Sequence, residues 1–236
     1  MKKAIIYYTD NNLQWVIALK CRKVLLQNAG SIPIVSVSQK PVTHPAGFGK
    51  NICVGQIGRS MLNMYSQILE GLKGTDADIV YLVEHDVLYT KEHFDFTPDK
   101  NIFYYNSNLW FLDWNPKSHH KGMYFPSNGS RPALSQLVCY RDILIENIEK
   151  RIELLKKGYS ILRGFQGTCE PGIRDNAAFV KEDNEVVGFE NRYTYQFFNT
   201  QYSNVDIRNG QNFTGSRRIK ESRSTYKLVP WGEFAV

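Results

Sequence analysis

The chain has few of the residues that mark a metal or redox centre. Its 236 residues include four cysteines, Cys21, Cys53, Cys139 and Cys169, widely spaced and without a Cys-x-x-Cys pair. That spacing argues against zinc or thiol-redox chemistry and leaves buried free thiols as the simpler reading. No apolar run approaches the ~20 residues of a membrane helix. Met1-Lys2-Lys3-Ala4-Ile5-Ile6-Tyr7-Tyr8 carries two lysines, but its apolar stretch is too short for a signal peptide. A first β-strand, no membrane partner and a cytoplasmic location are therefore expected. Glycosylation sequons at Asn128 and Asn212 carry little weight without a secretory signal. There is no internal repeat and no linker, so one domain over residues 1–236 is expected.

What is present is an ordinary globular composition, 42% hydrophobic and 22% charged, with a net charge of +6. The charge is uneven. Between Ile207 and Lys227, Arg208, Arg217, Arg218, Lys220, Arg223 and Lys227 stand against Glu221 alone. Such a segment suits the phosphates of a nucleotide or of a nucleic acid, or is simply a solvated tail.

The first half alternates strand and helix. Ala4–Tyr8 reads as a strand, followed by the polar turn Thr9-Asp10-Asn11-Asn12. Leu13, Val16, Ile17, Cys21, Val24 and Leu25 recur at helical spacing and stop at Gly30. Ile32–Val37 reads as a second strand, with Pro33 allowed only at its start or on an edge. A turn-rich loop over 38–49 follows. Ile57, Met61, Met64, Tyr65, Ile68 and Leu72 mark a second helix, begun by Gly55-Gln56-Ile57-Gly58-Arg59-Ser60. This order predicts an α/β fold with a Rossmann-type, mostly parallel central sheet flanked by helices.

The second half is less regular. Ile102–Tyr105 and Leu109–Leu112 suggest two strands or a hairpin, and 115–131 a loop. A helix is expected from near Tyr140-Arg141-Asp142 to before Gly158. The strand-like Glu185–Phe189 and the aromatic run Tyr193–Phe198 come last.

The most informative stretch is Ile79-Val80-Tyr81-Leu82-Val83-Glu84-His85-Asp86. An apolar strand that ends in two carboxylates around an imidazole places them at the crevice where α/β sheets bind ligands, since burying them unpaired is costly. Hard oxygen ligands there suit Mg²⁺ or Mn²⁺ with a diphosphate. Asp86 is the better metal ligand. Glu84 is a second ligand or, with His85, a ribose or water-mediated contact. Thr9 and Asp10 are placed to touch base or ribose, with helix capping by Asp10 or Asn11 as the alternative. Arg59, behind a Gly-rich turn that opens a helix, suits an anion. The motif is neither a dinucleotide fingerprint nor a Walker loop.

Further blocks follow along the chain: Glu84-His85-Asp86-Val87-Leu88-Tyr89, Phe103-Tyr104-Tyr105-Asn106-Ser107-Asn108-Leu109-Trp110, Cys139-Tyr140-Arg141, Glu170-Pro171-Gly172 and Asp206-Ile207-Arg208-Asn209-Gly210-Gln211-Asn212-Phe213-Thr214-Gly215. Together they resemble a glycosyltransferase-like family of bacteriophage and bacterial genomes, and the first half resembles GT-A fold glycosyltransferases. The resemblance spans Ala4 to about Arg218. It implies a GT-A-like domain with a nucleotide-binding half over 1–90 and an acceptor-side half over 91–236. If the chain is phage-encoded, its location is the host cytoplasm.

In that fold a D-x-D motif holds a metal–diphosphate, and Glu84-His85-Asp86 stands in its place. Asn209 stands where the family is expected to carry His, as a further metal contact. Asn offers a carbonyl oxygen but neither a positive charge nor comparable acidity. The resemblance adds Arg208 and Asn212 as donor contacts. It puts Trp110 and Ser118-His119-His120-Lys121 on the acceptor side, although core packing fits Trp110 and a surface loop fits the histidines. Glu170 and Asp113 become candidates for the general base of an inverting reaction. The implied activity is metal-dependent transfer from a nucleotide-sugar, UDP-sugar favoured, to an acceptor hydroxyl, with a hydroxymethylated base in phage DNA as one acceptor. The rival is a nucleotide- or nucleic-acid-binding protein without turnover on the same fold. A nucleotidyltransferase would need a Gly-rich basic loop after the first strand, which Thr9-Asp10-Asn11-Asn12 lacks.

Overall fold

The computed structural model describes residues 1–127, 132–161, 170–172, 179–181, 186–187, 193–210 and 223–235. The first half runs β1 (Lys3–Thr9), α1 (Trp15–Ala29), β2 (Ile34–Ser38), β3 (Lys50–Cys53), α2 (Met61–Lys73) and β4 (Ile79–Glu84). Next come β5 (Val87–Leu88), α3 (Lys91–Asp95), β6 (Phe103–Asn106), β7 (Leu109–Asp113), β8 (Tyr124–Pro126), β9 (Leu137–Tyr140) and α4 (Arg141–Lys156). The last elements are β10 (Ser160–Ile161), β11 (Phe179–Val180), β12 (Val186–Val187), β13 (Tyr195–Phe198) and β14 (Asn204–Arg208).

A seven-stranded sheet in the order β13-β6-β9-β4-β1-β2-β3 forms the centre. Only β9 runs against its neighbours. The mixed α/β class and the mostly parallel sheet therefore match the reading of the alternating first half. Both faces of this sheet are covered, so β1 and β4 are apolar almost without a break, as buried parallel strands require. Ile6, Tyr8, Val80 and Leu82 pack beneath α2 and α4 with Tyr65, Ile68, Leu144 and Ile148. Ile5, Tyr7, Tyr81 and Val83 pack on the other face with Leu25 and Ala29 of α1. Gly71 lets α2 sit close on β1, since a Cβ there would lie 2.5 Å from Ile6 Cγ2.

Several local expectations change. The strand after Pro33 begins at Ile34, and a fourth parallel partner, β3, follows the turn-rich loop. Gly55–Arg59 precedes α2 and does not open it. Ser60 is the N-cap, its Oγ accepting the Asn63 N–H at 3.1 Å. β6 and β7 are not a hairpin, because they belong to different sheets. Between them Ser107 N–H donates to Phe198 O and Asn108 Nδ2 donates to Thr200 O, which turns the chain from one sheet to the next. Part of the expected loop after Asn115 is β8, paired with β7. Val186–Val187 is the described part of the predicted strand at 185–189.

The second sheet has the order β5-β14-β7-β8, with β14 parallel to β7 and antiparallel to β5. Because β5 continues directly from the turn after β4, this sheet is attached to the C-terminal end of the central one. No helix among the described residues is long and apolar enough to cross a membrane.

Candidate functional site

The winding of the central sheet reverses between β1 and β4. From β1 the chain moves outward to β2 and β3, and α2 then returns it to β4 on the other side of β1. In open α/β sheets the carboxyl ends of the strands at such a reversal leave a crevice that neither crossover covers. Thr9 ends β1 and Glu84 ends β4, so both acid-bearing turns lie at this crevice.

The turn after β1 is held by its own side chains. Thr9 Oγ1 accepts the Asn11 N–H at 2.9 Å, and Asp10 Oδ1 accepts the Asn12 N–H at 3.0 Å. Asn11 adopts φ +59°, a left-handed conformation that Asn tolerates better than most residues. Asn11 also exchanges side-chain hydrogen bonds with the Lys40 backbone, which ties the turn to the loop after β2. Helix capping is not the role of Asp10 or Asn11, because Gln14 is the N-cap of α1 and makes no side-chain cap bond.

Asp10, Asn12, Leu13, Arg59, His85, Asp86 and Asn209 line one cleft of about 190 Å³. Arg59 Nε stands 3.4 Å from Asp10 Oδ2. His85 Nδ1 lies 2.6 Å from Thr9 Oγ1 and 3.7 Å from Asp10 Oδ1, and His85 Nε2 lies 4.0 Å from Asp86 Oδ2. Burial holds His85 neutral, well below the usual imidazole range, against the opposing pull of Asp10 and with help from Arg59 and Arg22.

Asp86 is 7% exposed, and its carbonyl accepts the Ile207 N–H at 2.8 Å. This bond joins the turn to β14, which brings Asp206 and Arg208 beside it. Arg208 Nη2 donates to Asp206 Oδ2 at 2.7 Å, and the guanidinium lies 4.4 Å from the centre of the Phe111 ring. Burial raises the Asp86 pKa first, the Asp206 carboxylate raises it further, and Arg208 opposes both. Two carboxylates thus share a low-dielectric corner in which a divalent cation would relieve their repulsion. Among the described residues no group of three or more His, Cys, Asp and Glu is arranged to hold a metal. A cation here would lean on one or two carboxylates and on its ligand's own oxygens, the usual arrangement for Mg²⁺.

Glu84 does not line the cleft. Its carboxylate Oε1 accepts the Tyr8 hydroxyl at 2.6 Å, on the α2 and α4 side of the sheet, and its N–H donates to Tyr89 Oη at 3.1 Å. The pairing of Tyr8 with Glu84 in adjacent parallel strands points both side chains to that face. Burial and then Asp86 raise the Glu84 pKa.

Glu170 is near Glu84 and Arg151 and also outside the cleft lining. Burial pushes its carboxyl up to about 7, with Arg151 opposing and Glu84 adding. The Glu-Pro-Gly turn is fixed by Tyr105 Oη, which donates to Pro171 O at 2.7 Å, and by Gly172 at φ +89°. Asp113 sits elsewhere. Its Oδ1 accepts the Asn115 N–H at 3.0 Å and its Oδ2 accepts the Ser118 hydroxyl at 2.5 Å, so it organises the loop that holds His119 and His120. Trp110 packs against the cluster of Ile17, Leu112 and Ile207. Asn212, and Arg217, Arg218 and Lys220 of the basic segment, lie outside the described residues.

Sequence reasoning missed Asp206, Asn12, Leu13 and the Tyr8 and Tyr89 hydroxyls. A signal for Asp206 was present. In Asn204-Val205-Asp206-Ile207-Arg208 the polar residues alternate with buried Val205 and Ile207, which puts Asp206 and Arg208 on one face.

No protein-family model matches the chain, and no curated protein matches it. Among solved structures it is similar to CMP:2-keto-3-deoxy-manno-octonic acid synthetase complexed with CTP, at 14% identity and TM-score 0.39, over 66% of this chain and 84% of that one. It is also similar to the glycosyltransferase GlyE of Streptococcus pneumoniae TIGR4, at 14% identity and TM-score 0.45, over 72% of this chain and 42% of that one.

Proposed function

We propose that the chain is a metal-dependent glycosyltransferase that takes a sugar from a nucleotide-diphosphate donor, with a UDP-sugar favoured, to an acceptor hydroxyl. The observation that carries this reading is the convergence of Asp10, Arg59, His85, Asp86 and Asn209 in one cleft at the β1/β4 reversal. The cleft combines a cation for phosphate, a neutral imidazole that can hydrogen-bond a ligand, and hard oxygen donors.

Asp86 and the Asn209 side-chain oxygen, with Asp206 beside them, are the residues that would hold Mn²⁺ or Mg²⁺. Bound there, the ion would neutralise charge on the departing diphosphate. Arg59, 3.4 Å from Asp10 Oδ2, contributes a positive charge to the cleft, and Arg208 offsets the two acids from β14. Thr9 and Asp10 orient His85 and shape the base or ribose side. Glu84 drops out as a metal ligand in this reading, because its carboxylate is turned to Tyr8.

For the proton of the acceptor hydroxyl, Glu170 and Asp113 are the two candidate bases. Both Asp113 oxygens are already engaged by the 115–118 loop. DNA as acceptor rests on the charge of the segment from Arg208 to Lys227 and on the aromatic run Tyr193, Tyr195, Phe197 and Phe198.

A thermal-shift and donor-hydrolysis screen tests the reading. UDP or a UDP-sugar with Mn²⁺ should raise the melting temperature, Asp86→Ala should abolish the shift, and sugar release should require the ion. Absence of any shift or turnover across nucleotide-sugars would remove the transferase reading. A metal-independent shift without turnover would favour the nucleotide-binding alternative, which Asn209 supports by supplying neither charge nor acid.

A further inference from the structure

Arg22 on α1 is 4% exposed, yet no carboxylate among the described residues pairs with it. Its Nε–H donates to Tyr7 Oη at 3.0 Å and its Nη1 donates to His44 O at 3.2 Å. The rings of Tyr7, Trp15 and Phe48 lie 5.7, 5.8 and 5.9 Å from the guanidinium carbon. Such contacts soften the cost of burial but leave the charge in place. An arginine carries five N–H donors, and the described residues supply two acceptors for them, Tyr7 Oη and His44 O. Buried cations are ordinarily paired, and this one has no counter-charge among the described residues.

The surroundings allow one to arrive. Trp15 is 53% exposed and His44 is also exposed, and the two rings meet edge to face at 5.9 Å. Guanidinium and indole are donors only, and an imidazole N–H is a further donor. Together they match the acceptor-only oxygens of phosphate. Arg22 also acts electrostatically on His85 of the cleft.

We propose that Trp15, Arg22 and His44 form a phosphate subsite on the α1 side of the cleft, separate from the Arg59 wall and independent of the transferase reading. A phosphate reaching it completes the guanidinium's hydrogen bonds beside the Trp15 indole N–H.

The test uses the full chain at constant ionic strength, titrated separately with inorganic phosphate and with uridine monophosphate while tryptophan emission is followed. Saturable changes are expected in the wild type and in Arg59→Met. Trp15→Phe should lose the optical change, and Arg22→Met should weaken binding at least tenfold, with Arg22→Lys less affected. Circular dichroism of each variant separates loss of binding from loss of fold. If Arg22→Met does not fold, Arg22→Lys and Trp15→Phe decide the matter. Tighter binding of the monophosphate ester than of free phosphate identifies a nucleotide as the source, and equal affinities identify free phosphate. The proposal is overturned if no saturable binding occurs, if a folded Arg22 variant binds as the wild type does, or if Arg59→Met abolishes binding. Phosphate binding here with no nucleotide-sugar bound anywhere would leave the subsite standing and remove the transferase reading.

Discussion

Thr9 Oγ1 and His85 Nδ1 stand 2.6 Å apart and join the ends of β1 and β4. The hydroxyl oxygen also accepts the Asn11 N–H at 2.9 Å, and its proton is free to be donated to Nδ1. With Thr9 as that donor, the imidazole proton would sit on Nε2, on the side of Asp86, and His85 would act in the cleft as a neutral N–H donor.

The first prediction concerns that tautomer. Nitrogen-15 NMR should show His85 protonated at Nε2 alone from pH 7 down to about pH 5, since burial lowers its pKa. Thr9→Val removes the hydrogen bond that orients the ring, worth about 1 kcal/mol, and should weaken nucleotide binding roughly fivefold. An Nδ1–H signal in the wild type would refute the assignment.

The second concerns Asp86. Its folded-state pKa is raised, so the ionised form is disfavoured in the fold. The stability it supplies is full below the unfolded carboxylate range near pH 4 and declines as pH rises through the folded value. In metal-free buffer Asp86→Asn should therefore melt higher than the wild type at pH 8, by about 2–4 °C for each kcal/mol recovered, and no higher at pH 4. The same variant should lose Mn²⁺-dependent nucleotide stabilisation. A lower melting temperature at pH 8 would contradict the electrostatic account.

The third concerns His93, fully buried on α3 among Tyr81, Tyr89, Phe94 and Phe198. Its Nδ1 faces Asn204 Nδ2 at 3.2 Å, and its Nε2 has no hydrogen-bond partner. Burial pushes its pKa down to about 3. A depressed imidazole contributes stability that is whole above the unfolded value near 6.5 and is lost as pH falls from there towards 3. Between pH 6 and 4 the wild type should lose about 1.4 kcal/mol per pH unit more than His93→Gln, measured by denaturant unfolding. Parallel profiles for the two proteins would show that His93 titrates normally.

The fourth concerns the turn that positions Glu170. At Gly172, φ is +89°, and a Cβ would lie 3.0 Å from both Phe103 Cδ2 and Tyr195 Cβ. Gly172→Ala should destabilise the protein by about 1–3 kcal/mol, through strain at a conformation rare for side-chain-bearing residues and through crowding. In an activity assay it should lower turnover more than donor affinity, because the donor cleft does not include this turn. Unchanged stability would mean that the turn is not held as the geometry indicates.

The sequence by itself determined the two middle strands of the central sheet, β1 and β4, because they are buried on both faces and only near-continuous apolar runs satisfy that burial. By contrast, β3, β9 and β13 carry no run of that length and were added by the tertiary fold. It also pointed to Asp10, Arg59, His85 and Asp86, since acids and an arginine beside the carboxyl ends of such strands have no place in a core. Tertiary structure decided the rest. It turned Glu84 to Tyr8, because parallel register sets which face a strand's last residue uses. It brought Asp206, Arg208 and Asn209 to Asp86 through the β5–β14 pairing, a contact between residues some 120 positions apart that no local pattern encodes. It also left Arg22, an unremarkable arginine within a helical stretch, buried without a counter-charge beside the cleft.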